Sequence, residues 1–387
     1  MGAAVATSGQ EAVMNEGRYA ERLRRVRQMM AEQQLDGLLC YGNPFRKDYL
    51  RYVHPAPTPS PYGFCLLTPE GGTLFVEAPW DTLPAADTVQ AVVGARSATG
   101  VAQAVAARVR QLALGPRLGL AGGEVMEAEL YETLRERLGP TALVPASKAV
   151  MELRYVKDAV ELEAIRRAAA IADEGWKTFV ATCKPGVPQY EITARCEGRV
   201  RELGAEDNFM ILSSGTRDVY GMTPPSSRRL ERGDSVLTEF TPQVDGYYAQ
   251  LCRSLTVGPA SAGQRRSFAI FKAAADAALA MIRPGVTAAD IANAENAVFA
   301  AEGYGEYCTA QYTRVRGHAM GLHFDEEPML WPDVDFPIRA GMVLIPHPNT
   351  YLPLAGYMVF GDSVLVTETG CELITQTPRI LFEAGES

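Results

Sequence analysis

Two hydrophobic rhythms alternate along the chain. Tyr19, Leu23, Val26 and Met30 recur at four, three and four residues, the spacing of one helix face. Short apolar runs at 37–41, 64–68 and 73–77 predict strands, with Gly71-Gly72 as a hairpin turn between the last two. Helical spacing predicts helices over 101–112 and 125–138, with a strand at 118–121 between them. Helices alternating with strands predict an α/β domain of about 150 residues. Residues 151–180 then read as one long helix, with Leu162, Ile165, Ala169, Ala172, Trp176 and Phe179 as its stripe. Beyond it, helices are predicted at 189–203, 261–282 and 287–302, and strands at 235–240, 247–257, 342–346 and 362–367. Hairpin-paired strands with helices on one side predict an α+β domain. A twofold echo accompanies them: Lys184-Pro-Gly-Val and Arg283-Pro-Gly-Val each mark a helix end, a turn and a helix start.

Length and composition sharpen this picture. A chain of 387 residues is too long for one ordinary core, so two domains are expected, at 17–153 and 154–387. Residues 1–16, small and polar with Glu11 and Glu16, predict a disordered tail without a secretory leader. The net charge of −9 argues against a nucleic-acid partner. No run of about 18 apolar residues predicts a membrane span. Seven cysteines scattered without CxxC spacing predict reduced thiols and a cytoplasmic setting.

Five stretches stand out in order. They are Arg154-Tyr-Val-Lys-Asp-Ala-Val-Glu161; Gly233 to Phe240 followed by Asp245-Gly-Tyr-Tyr-Ala-Gln-Leu-Cys-Arg-Ser254; Gly317-His-Ala-Met-Gly-Leu with Glu326-Glu-Pro; Gly341-Met-Val-Leu-Ile-Pro-His-Pro; and Asp362-Ser-Val-Leu-Val-Thr. Together they resemble the creatinase/prolidase/aminopeptidase P family, the peptidase M24-like "pita-bread" proteins. The resemblance is strong over about residues 150–387 and holds in outline before that. It implies an α/β N-terminal domain plus an α+β pita-bread catalytic-type domain. It also implies a homodimer in which the N-terminal domain of one copy caps the pocket of the other through the Pro-rich loop at 54–62.

The family's peptidases hold two divalent metals with Asp, Asp, His, Glu and Glu. The resemblance places Glu239, Gln250, His318, His347 and Gly361 at those positions. One carboxylate, an amide and two imidazoles cannot neutralise two divalent ions, and a glycine supplies no ligand. Departure from creatinase is also evident: its catalytic histidine falls at Met222, and its substrate-holding carboxylates fall at Cys252 and His347. Relatives resembling ectoine hydrolase keep a glutamate at the Glu239 position. The expectation is therefore a metal-independent hydrolase or lyase of a small non-peptide substrate, acting at a C–N bond without a cofactor. Glu239, His318 and His347 are its candidate catalytic groups. Gln250, Tyr220, Met222, Tyr248, Cys252, Asp325 and His54 are its candidate substrate contacts. One alternative is a mononuclear Fe, Mn or Zn enzyme with Glu239, His318 and His347 as ligands. A second is a non-catalytic binding module.

Overall fold

The structure, a computed structural model, describes residues 10–54, 62–76, 91–94 and 97–385. It divides into two units, Met1–Arg154 and Tyr155–Ser387. The first helix is Gln10–Glu32, so the expected tail is shorter than predicted: residues 10–16 are helical, and 1–9 lie outside the described residues. Tyr19, Leu23, Val26 and Met30 are all buried, as their spacing requires.

The first unit is α/β. Its six-stranded sheet runs Ala91–Gly94, Gly72–Val76, Gly63–Leu67, Gly37–Gly42, Arg117–Ala121, Ala142–Pro145. The central strand Gly37–Gly42 pairs antiparallel with the hairpin and parallel with Arg117–Ala121. Burial on both faces explains why these strands read as continuous apolar runs rather than alternating ones. The helices Ala98–Gln111 and Ala128–Leu138 pack Val101, Val105, Leu130 and Leu134 into the same core as Leu39, Phe64 and Phe75.

The second unit is α+β. The expected helix over 151–180 is two helices: Ser147–Arg154, which ends the first unit, and Ala159–Thr182 in the second. Asp158 interrupts it: its carboxylate accepts from the amides of Val160 and Glu161, and the Glu161 side chain accepts from the Asp158 amide. That reciprocal cap makes a new helix start more favourable than continuation. One sheet orders Gly361–Asp362, Leu251–Val257, Ser235–Val244 and Asp207–Gly215. A second orders Glu326–Met329, Gly317–Ala319, Val343–Pro346, Val364–Val366 and Cys371–Leu373. The strand expected over 247–257 is interrupted at Ala249 and Gln250. There the Gln250 amide donates to Ser363 Oγ at 2.8 Å instead of joining a ladder.

The twofold echo has a structural counterpart. After each Pro-Gly-Val turn the chain makes the same set of backbone bonds. Gly186, Gln189 and Leu230 bond Leu230, Arg228 and Val187, just as Gly285, Ala288 and Ile338 bond Ile338, Phe336 and Val286. Helices Gln189–Glu202 and Ala288–Ala301 follow at matching positions.

Candidate active site

Three neighbouring strands set one row of the site. Glu239 pairs directly with Cys252, and Cys252 with Gly361. Side chains at paired positions share a face, so Glu239 and Cys252 lie side by side. The second sheet supplies the histidines. His318 sits opposite Ile345, and His347 follows the end of that partner strand. Their rings meet edge to face, with centroids 5.2 Å apart.

These groups wall one cavity of about 390 Å³. Glu239, Gln250, His318, His347, Asp325, Tyr220 and Met222 all line it. Tyr248 does not; its ring lies edge-on against Phe324, and its hydroxyl reaches Asp207. Cys252 lies fully buried behind the wall rather than in it. His54 belongs to the first unit, where it is buried with its amide donating to Leu50 O. The loop beyond it, residues 55–61, lies outside the described residues. Asn349, Tyr357, Arg314 and Tyr312 line the cavity without having been anticipated, as do Phe209 and Phe324, which stack at 5.0 Å.

The electrostatics single out Glu239. Burial, and after it the Asp325 carboxylate, push its carboxyl up to about 7, against the hydrogen bonds of Cys252 and Gln250. The Cys252 thiol is driven well up by burial and then by Glu239, so it stays protonated and donates. Burial also lowers the basicity of both histidines, more strongly at His347, where His318 adds to it. His318 Nδ1 lies 3.0 Å from Ala319 O and Nε2 lies 3.2 Å from Asp325 Oδ1, two acceptors between which a neutral ring has one N–H to give. Among the described residues, His347 Nε2 and Gln250 Oε1 are buried without a hydrogen-bond partner.

The family described as Metallopeptidase family M24 matches residues 163–368, more than half of the sequence. The chain belongs to metallopeptidase family M24. Residues 22–156 of this M24 chain match the Creatinase/Prolidase N-terminal domain. It is 25% identical over 377 residues to the Xaa-Pro dipeptidase of Pyrococcus horikoshii, covering 94% of this chain and 99% of the relative. It is 27% identical over 267 residues to the Xaa-Pro dipeptidase of Pyrococcus furiosus, covering 68% and 75%. The X-Pro aminopeptidase structure from Thermotoga maritima shares its fold, with a TM-score of 0.83 at 22% identity over 93% of this chain and 99% of that one. Relatives named as dipeptidases overturn the expectation of a non-peptide substrate. That expectation rested on lost metal ligands, which carry no information about the walls that receive a substrate.

The residues of this M24 chain do not fit the two-ion centre that the family implies. A Cβ at Gly361 would stand 2.4 Å from His347 Cβ and 2.7 Å from Pro346 O, so the space of the fifth ligand is already filled. Gln250 brings an amide where a charge is needed, and His318 faces Ala319 O at Nδ1 and Asp325 at Nε2. Among the described residues, the potential ligands that do converge are Glu239, Cys252 and His347, with one donor atom each within 4.8 Å of the others.

Proposed function

We propose that the chain hydrolyses an amide bond in a short peptide, with Glu239 as general base and without the family's two metal ions. The observation that carries this reading is Glu239 itself: a carboxyl in a cavity wall, with its pKa raised to about 7. A base poised near neutrality takes a proton from water and returns it within one cycle. The names of the dipeptidase relatives support a peptide substrate. A cavity of about 390 Å³ accommodates a molecule of that size. Its aromatic walls, Phe209, Phe324, Tyr220 and Tyr312, suit an apolar side chain or ring, while Arg314 and Asp325, ion-paired with each other at 3.1 Å, form one charged edge of the same wall.

The chemistry balances without a further reagent. Water oxygen attacks the carbonyl carbon as Glu239 takes its proton, and the carbonyl π electrons move to oxygen. On collapse the C–N bond breaks, and the Glu239 carboxylic acid protonates the leaving amine. The reading includes a cytoplasmic homodimer. The free state of all seven cysteines supports the reducing setting, and the family resemblance supports the dimer.

Glu239→Gln tests the role of the base. It keeps shape and hydrogen bonding but removes basicity. Turnover on Xaa-Pro and other dipeptides, followed by amine release, should fall by roughly a hundredfold or more with KM little changed. Unchanged turnover in this variant contradicts the assignment.

A further inference from the structure

His347 stands where the family carries a metal-binding carboxylate, and its partner decides what it can do there. Asn349 is buried, and its amide orientation is fixed from both ends. Its Nδ2 lies 2.6 Å from Val315 O and 2.9 Å from His347 O, two carbonyls that can only accept. Its Oδ1 receives the hydroxyls of Thr313 at 3.0 Å and Tyr357 at 2.9 Å. The same Nδ2 lies 3.1 Å from His347 Nδ1. One hydrogen of this Nδ2 serves Val315 O, and the other is shared between His347 O and His347 Nδ1; a proton on Nδ1 would oppose that hydrogen, so Nδ1 accepts. The ring's proton then sits on Nε2, the buried atom that has no hydrogen-bond partner among the described residues. Flipping Asn349 to reverse this would set its oxygen against two carbonyls.

We infer that Asn349 is a positioning residue that locks His347 as a neutral Nε2–H donor, so that this end of the cavity receives an oxygen anion and not a cation. The inference rests on the amide-hydrolysis reading for its use: the Nε2–H would donate to the carbonyl oxygen as negative charge develops on it during water addition. A preorganised donor in a water-poor cavity favours that tetrahedral state over the planar substrate. It also bears on the convergence of Glu239, Cys252 and His347: with the ring locked this way, the trio offers a cation fewer ligands than its spacing allows. The imidazole lone pair a cation needs is turned to Asn349, and the thiol keeps its proton.

Histidine-selective ¹⁵N NMR of the wild-type chain reads the tautomer directly. With His347 assigned by His347→Gln, its Nδ1 should resonate as an unprotonated nitrogen and its Nε2 as a protonated one. In parallel, Co(II) added to the wild type should produce no thiolate-to-cobalt absorption at micromolar metal, and a phosphinate analogue of a dipeptide should bind in chelator. Asn349→Asp replaces the donor with an acceptor. It should move the proton to Nδ1, weaken phosphinate binding at least tenfold and bring in the cobalt band. Should this variant not fold, the wild-type measurements decide alone. A protonated Nδ1, a cobalt band in the wild type, or phosphinate binding that requires metal each overturns the inference. None of these readouts depends on turnover, so the Glu239→Gln result stands or falls separately.

Discussion

Glu239 combines two demands that oppose each other. A half-buried carboxylate loses hydration, and that loss, with the Asp325 carboxylate nearby, gives a folded-state pKa of about 7 against 4.5 for the free group. The fold thus holds this proton more tightly than the unfolded chain does. Its contribution to stability is fully present below pH 4.5 and is lost as pH rises through about 7. Glutamine has no charge to desolvate. Glu239→Gln should therefore match the wild type in stability near pH 4.5 and exceed it at pH 8, by roughly 1–3 kcal/mol in denaturant titrations. Activity has the opposite slope, because only the ionised base accepts a proton: kcat/KM should rise with pH through about 7. A flat profile across that range speaks against Glu239 as the base. Glu239 and His318 could be picked out from sequence because each sits in a patterned stretch. Asn349 could not: in Pro348-Asn-Thr it looks like an ordinary turn residue, and its bonds to Val315, Thr313 and Tyr357 come from segments without a motif.

At the scale of elements, the site depends on strand register. Glu239, Cys252 and Gly361 lie on three strands in one cross-strand row: hairpin pairing brings the first two together, and long-range antiparallel pairing adds Gly361. The predicted strands 235–240 and 342–346 overlap the observed Ser235–Val244 and Val343–Pro346 because their apolar runs are buried. The cavity's aromatic wall was not legible in the same way. Phe209 lies on the strand Asp207–Gly215, a half-exposed edge strand with no clean alternation, and Phe324 on an irregular turn. Gly361 gives the sharpest test at this scale. Restoring a family-like Gly361→Glu drives a side chain into His347 Cβ and Pro346 O, both too close to yield cheaply. The substitution should cost at least about 3 kcal/mol in thermal or chemical unfolding and should not create a metal site. A stable Gly361→Glu variant that binds Mn(II) contradicts this account of the pocket.

Across the second unit, one buried ion pair ties its beginning to the hairpin that carries His318. Lys157 Nζ lies 3.1 Å from Glu326 Oε2, with both side chains almost entirely enclosed. Gly321 leaves room for them: a Cβ there would meet Glu326 Oε2 at 2.8 Å and Lys157 Cε at 3.0 Å. Lys157→Met leaves the carboxylate buried beside an apolar chain and should destabilise the protein by about 3 kcal/mol. A shift in urea midpoint at unchanged slope checks this. The two-domain architecture was legible from length and from the change in rhythm near Arg154. Substrate class was not, since walls of Phe, Tyr and Met carry no sequence signature of what they enclose. The central claim is that this M24 chain hydrolyses peptides without the two-ion centre of its family. Its most direct test is the rate of dipeptide hydrolysis by wild-type protein after exhaustive chelation, measured with and without added Mn(II), Zn(II) or Fe(II). The account predicts one rate throughout; loss of hydrolysis on chelation, restored by any of these ions, would contradict it.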